Sequence, residues 1–221
     1  MGQSCTSPYF ITSSPNGGVS DGGYYVHNNL WDVGAYAGTS GTTEVCSYRS
    51  WNHIAVANNV RGDGAVKTYP NVHRDYGDRP LSNYPVLASS FAMASPGVGI
   101  YDVAYDIWLN GVPGRNEIMV WTDNLRQVPA GSRVATGLGF SGHTWDLWAT
   151  SGNGYLAFVP VGGARITSGT VNLREMLDYL LAQGRIPSSS TLGQICFGVE
   201  VVDTGGVPAE WHLTNFSITD R

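Results

Sequence analysis

A chain of 221 residues is long enough to enclose one sizeable core, and all-β chains of this length routinely form a single domain, expected here over residues 1–221. Only 13% of the residues are charged, against 29 Gly, 12 Tyr and 7 Trp, and the net charge is −5. With no cluster of Lys or Arg the chain lacks the electrostatic footprint of a nucleic-acid binder, and it has no run of about 18 apolar residues with which to span a membrane. The N-terminus has no charged stretch followed by an apolar one, so no export signal is read in it, and Met1-Gly2 reads as a start added before a mature sequence. Low charge with abundant Gly, Ser, Thr, Asn and aromatic residues suits a secreted β protein that meets neutral polymers.

From Cys5 to Tyr48, segments rich in Thr, Tyr and Val alternate with clusters such as Pro15 to Gly18 and Asp21 to Gly23. They predict short strands joined by tight turns, because Asn-Gly and Asp-Gly supply the positive φ that hairpin turns require. Tyr24 to Trp31 reads as one such strand, with Asn29 and Trp31 of like parity placing an amide beside an indole on one face. Arg49 to Tyr69 predicts two strands across a Gly-rich turn. Residues 70–99, broken by Pro70, Pro80, Pro85 and Pro96, read as loops and an edge element.

Ile100 to Leu109 is a strong strand, and Asn110 to Gly114 turns it into the next, Arg115 to Asn124. Such a short link makes the two neighbours. Side chains alternate across a strand, so Glu117, Met119 and Trp121 project to one side and Ile118 and Val120 to the other. The same alternation also describes an ordinary half-buried strand with a polar face. Further strands are predicted at Arg133–Phe140, His143–Thr150 and Gly154–Val161. The period then changes: Leu173, Met176, Leu177, Leu180 and Leu181 form one helical stripe within Val171 to Gln183. Asn172 with Glu175 makes a capping box and Gly184 suits the residue that closes the helix, while Arg174 and Asp178 read as its solvent side. Ile195–Val202 and Trp211–Thr219 complete the strands.

Candidate chemistry narrows to carboxylates. The His residues at 27, 53, 73, 143 and 212 are scattered without paired spacing, so no metal is expected, and neither a Gly-x-Ser-x-Gly elbow nor a phosphate loop that would imply a cofactor is present. Glu175 is accounted for by the capping box and Glu44 lies next to Cys46. Glu117 and Glu200 each sit inside an apolar strand, where an unused charge is costly. Glu200 shares its face with Cys196 and Gly198, small residues expected to leave room before it, while Phe197 and Val199 point inward. Three cysteines leave one odd thiol: Cys5 and Cys46 bracket the N-terminal segment and are free to pair, and Cys196 reads as a buried, inert thiol.

The segment Glu117 to Trp121, preceded by Tyr105 to Leu109 and followed by Pro129 to Arg133 and Thr144 to Trp148, closely resembles the family 12 glycoside hydrolases. Asn28 to Trp31, Val66 to Tyr69 and Phe197 to Glu200 match further motifs of that family, so the resemblance runs in consistent order from about Cys5 to the C-terminus. It implies an all-β jelly-roll sandwich of two curved antiparallel sheets, with one α-helix packed on the convex side and an open cleft on the concave side. The implied activity is endo-hydrolysis of β-1,4-glucans with retention; no cofactor is expected, and nothing in the sequence suggests more than a monomer. By the same resemblance Glu117 falls on the nucleophile, Glu200 on the general acid/base and Asp106 on the carboxyl neighbour of the nucleophile. Asn29, Trp31, Met119 and Trp121 fall on substrate-binding positions, and Cys5 with Cys46 on a disulfide.

The chain departs from many members in having Val201-Val202-Asp203, rather than Pro and an aromatic, after the acid/base, which alters the local subsite. For retention the two Glu must start in opposite ionisation states, with Glu200 expected to be the one that keeps its proton. The alternatives are a xyloglucan-specific endoglucanase of the same fold and a non-catalytic carbohydrate-binding β-sandwich. Family 11 xylanases share the two-carboxylate logic but lack the Glu117 to Trp121 context.

Overall fold

In the computed structural model, which describes residues 2–221, the alternating stretches become strands; Met1, part of the start read above, lies outside the described residues. The first half contributes β1 (Phe10–Thr12), β2 (Gly18–Asp21), β3 (Tyr24–His27), β4 (Ser40–Ser47), β5 (Ser50–Val56), β6 (Asn71–Pro80) and β7 (Leu87–Ala94). The second half contributes β8 (Ile100–Gly111), β9 (Gly114–Leu125), β10 (Ser132–Phe140), β11 (His143–Ala149), β12 (Tyr155–Pro160) and β13 (Ser168–Val171). After α1 (Leu173–Ala182) come β14 (Thr191–Asp203) and β15 (Ala209–Asp220).

These strands form a six-stranded sheet, β1-β4-β5-β15-β7-β13, and a nine-stranded sheet, β10-β11-β12-β9-β8-β14-β6-β3-β2. Pairing is antiparallel except between β12 and β9, which run parallel. The two sheets close over one core. Phe91 of the smaller sheet lies 5.0 Å from Phe197 of the larger, whose ring is 4.6 Å from Tyr105. Ile118 and Val120 are fully buried there, as their parity on β9 requires, and each contributes roughly 1.5–3 kcal/mol by leaving water.

The helix lies on the core side of the larger sheet, opposite its other face, with Tyr179 5.6 Å from Phe140 and 6.4 Å from Phe158. Its Asn172 cap accepts a hydrogen bond from the Glu175 amide, as the sequence predicts, but the return bond of a capping box is replaced: the Asn172 amide donates to Ser141 Oγ. Arg174 is not a solvent-side residue. Its guanidinium donates to the carbonyls of Leu81 and Tyr84 and so ties the helix to the turn after β6.

Three expectations fail in the first half. Residues 70–99 hold no mere edge: β6 lies between β14 and β3, and β7 between β15 and β13. Pro70 and Pro80 mark the boundaries of β6, where a missing amide costs no ladder bond. The second strand predicted before Tyr69 does not form as a regular strand; the segment lies against β14 through the bridge Thr68 to Val201 and the backbone bonds beside it. The strand from Tyr24 ends at His27, because Asn29 takes a positive φ of 41° and turns the chain.

Candidate active site

Strand β8 is the axis of the site. Its side chains Asp102, Ala104, Asp106 and Trp108 alternate onto the face away from the core. Glu117 of β9 lies opposite Trp108, and Glu200 of β14 lies opposite Asp102, so the two glutamates flank β8 from either side. Their register partners are six positions apart on β8. Even so, Glu117 and Glu200 line one cleft of 830 Å³, and the charge of Glu200 raises the pKa of Glu117.

Each glutamate is held by its backbone. The Glu117 amide donates to Gly154 O at 2.8 Å, and Tyr155 of β12 is its parallel partner. On the other side of the site the amides of Val199 and Val201 donate to the carbonyls of Pro70 and Thr68, locking β14 around Glu200. Gly198 is needed for this approach: a Cβ there would run into the Pro70 carbonyl oxygen and the Asn71 side chain. The small residue therefore admits neighbouring backbone, and does not leave open space before Glu200.

Asp106 pairs in register with Met119 and Cys196 and also lines the cleft. Asp102, which sequence reasoning passed over, is fully buried beside Glu200. Its signal was available: Asp102 and Asp106 are four apart on one strand and so share a face. Glu210, also passed over, lies exposed on β15 in the other sheet.

These four carboxyls have no Lys or Arg among the described lining residues of the cleft. Burial, followed by the charge of Glu200, pushes Glu117 up to about 7. Burial, then the charges of Glu117 and Glu200, holds Asp106 well above the usual carboxylate range. Burial, then the charge of Glu200, does the same for Asp102. Glu200 is raised by burial as well, with the neighbouring Asp102 carboxyl acting in the opposite direction. Both glutamates are therefore held above the ordinary carboxylate range, by burial in each case and for Glu117 by the charge of Glu200 as well.

The remaining candidates divide. Asn29 and Trp31 both line the cleft, although from a turn and not from a strand face. Asn29 Nδ2 donates to Tyr69 O, while Trp31 is 59% exposed at the rim. Met119 and Trp121 lie on the expected side of β9 but are only 1% exposed, packed with Ala104, Ala157, Trp148 and Tyr155 as a layer within the wall. A further aromatic group was missed: Tyr25, His27 and His73 cluster with ring centroids 5.4–6.0 Å apart on the β3 and β6 side. Burial lowers both imidazoles, His73 to about 4, so they present neutral faces.

Cys5 and Cys46 form a disulfide, and Cys196 is a buried free thiol donating to Gln194 Oε1 at 3.0 Å. A second cavity, of 600 Å³, is lined by Arg74, Arg79, Asp75 and Asp220; there Asp220 is paired with Arg74 at 3.1 Å and Asp75 accepts a hydrogen bond from Gln194.

Comparison with known proteins agrees with this geometry. The chain is 28% identical over 201 residues to a probable xyloglucan-specific endo-β-1,4-glucanase A of Aspergillus terreus, covering 83% of this chain and 78% of the relative. It is 26% identical over 219 residues to endoglucanase S of Pectobacterium parmentieri, covering 86% and 81% of the two chains. The xyloglucanase domain of NopAA, a type three effector from Sinorhizobium fredii solved with cellobiose, superposes with a TM-score of 0.85 at 25% identity, covering 97% of this chain and all of that one. The family model for glycosyl hydrolase family 12 matches residues 22–220, and the chain belongs to that family.

Proposed function

We propose that the chain is a retaining endo-β-1,4-glucanase that cleaves internal bonds of a β-glucan, with Glu117 as nucleophile and Glu200 as general acid/base. The observation that carries this reading is the pair of glutamates lining one cleft, their charges coupled and no cation among the lining residues to neutralise them. A single negative charge shared over the pair is the starting state a double displacement needs. Positive charge developing at an anomeric carbon beside Glu117 draws the negative charge to that carboxyl, and the proton then sits on Glu200, next to the leaving oxygen. Glu117 attacks, Glu200 donates, and in the second half Glu200 takes a proton from the water that releases the sugar.

Asp106, held neutral next to this pair, braces the nucleophile without adding a second charge. The exposed Trp31 indole and the neutral Tyr25, His27 and His73 rings offer flat apolar faces to pyranose rings, and Asn29 fixes the rim. Met119 and Trp121 act as support for that wall. The disulfide suits an oxidising compartment, so the enzyme works outside the cell, as a monomer.

Glu117→Gln is expected to lower turnover by at least about a thousandfold while leaving the melting curve cooperative. Proton NMR of the first-formed product should show the β-anomer. Full activity in that variant, or an initial α-anomer, overturns the assignment. A xyloglucan-degrading enzyme is the second reading, favoured by the names of the Aspergillus and Sinorhizobium relatives. Reducing-sugar release from carboxymethyl cellulose, barley β-glucan, xyloglucan and xylan, run side by side, separates the two, and silence on all four would mark a binding module.

A further inference from the structure

We propose that Asp102 is a positioning residue for Glu200: it keeps its own proton and donates it in a hydrogen bond to the Glu200 carboxyl, steadying that group each time it becomes negative. This rests on the assignment of Glu200 as acid/base. Asp102 is 0% exposed, and neither of its oxygens receives a hydrogen bond from any amide, hydroxyl or cation. A buried carboxylate in that position would be left without a donor, at a cost of several kcal/mol. The group it does meet is the carboxyl of Glu200, its register partner across β8 and β14. Two carboxyls are both acceptors unless one carries a proton, so a proton lies between them.

The surroundings decide which side keeps it. Asp102 faces Glu200 on β14, Glu117 on β9 and Asp106 on its own strand, all acidic. The phenols of Tyr69 and Tyr155, from the segment before β6 and from β12, also sense its charge and are themselves pushed up by burial. Nothing in this set stabilises an ionised Asp102. Burial accordingly keeps its acidity far weaker than usual, and because Asp102 is sealed from solvent while Glu200 is only half-buried and lines the cleft, the charge is less costly on Glu200.

In the first half of the reaction Glu200 loses its proton to the leaving oxygen, and the Asp102 hydroxyl bonds the carboxylate so formed. In the second half Glu200 takes a proton from water, whose hydroxide goes to the anomeric carbon. The Asp102 proton stays on Asp102 throughout.

The test is the pH profile of kcat/KM on a soluble β-glucan for the parent, Asp102→Asn, Asp102→Ala and Glu200→Gln, with melting curves for each. The upper limb reports loss of the proton from the acid/base. Asp102→Ala removes a donor to the charged form, so the upper limb is expected to move up by about one pH unit. Asp102→Asn keeps a neutral donor, so the limb should stay within about a third of a unit of the parent. If Asp102→Ala does not fold, Asp102→Leu, which also lacks a donor but fills the space, replaces it. A downward shift in Asp102→Asn would mean that Asp102 is ionised and raises Glu200 by its charge, and no shift in the Ala or Leu variant would mean that the two are uncoupled; either result overturns the proposal. Retained glucan hydrolysis in Glu200→Gln overturns instead the assignment of Glu200. Loss there, with an unmoved limb in the Asp102 variants, overturns only the positioning role.

Discussion

Glu117 has no cation in its cleft to hold it ionised, and its folded pKa of about 7 stands above the ordinary 4.5. The folded protein binds this proton more tightly than the unfolded chain does. The stability tied to the group is therefore complete below pH 4.5 and is lost as pH rises through 7. The loss is on the order of 3 kcal/mol. Glu117→Gln, which cannot ionise, is expected to melt above the parent at about pH 8 and level with it at about pH 4, where the parent is also neutral. Equal melting temperatures at both values would show that Glu117 titrates normally. Two of the acids at this scale were legible from strand interiors, where a charge has no cheap place. Asp102 was legible by parity with Asp106, but parity alone does not distinguish an acid beside the site from one on an ordinary polar strand face. The meeting of Glu117 and Glu200 in one cleft was not legible, since it depends on β14, which lies far along the chain from β9.

At the scale of elements, pattern and outcome agree where a segment's own side chains set its conformation. The helix is an example: its apolar stripe is buried through Leu173, Met176, Leu177 and Leu180, Asn172 caps it, and Gly184 closes it at φ 64°. Asn172→Ala is expected to cost about 1 kcal/mol, read as a lower urea midpoint with an unchanged slope. No change would mean that the Ser141 hydroxyl, which accepts from the Asn172 amide, holds the helix start by itself. Agreement fails where neighbours decide. Between Ala57 and Pro70 the chain has strand-like letters but pairs with β14 at a single bridge, because Gly62 and Gly64 take positive φ and break the ladder. The reverse holds for β6, whose prolines suggest a loop while β14 and β3 on either side supply it with partners.

At the scale of the whole molecule, the disulfide fastens the N-terminal segment to β4 across a sequence separation of 41 residues. Closing a loop of that length removes disorder from the unfolded chain, a stabilisation of about 4 kcal/mol. The double variant Cys5→Ser, Cys46→Ser is expected to lose most of that in urea denaturation with its glucan hydrolysis retained at low temperature, since neither residue lines the cleft. Loss of activity in the folded variant would mean that the N-terminal segment shapes the site. The sequence by itself determined the all-β class, the single helix and the strand pair β8 and β9, and it singled out Glu117 and Glu200 as candidates, because alternation, turn chemistry and capping act within a few residues of one another. Only the tertiary structure decided that Glu117 and Glu200 line one cleft, that Trp31 stands at the rim while Trp121 is sealed in the wall, and that Asp102 lies beside Glu200. Those facts follow from which strands lie side by side and how the sheet bends, and long-range pairing of that kind is fixed by the packing of the whole core and by no local run of letters.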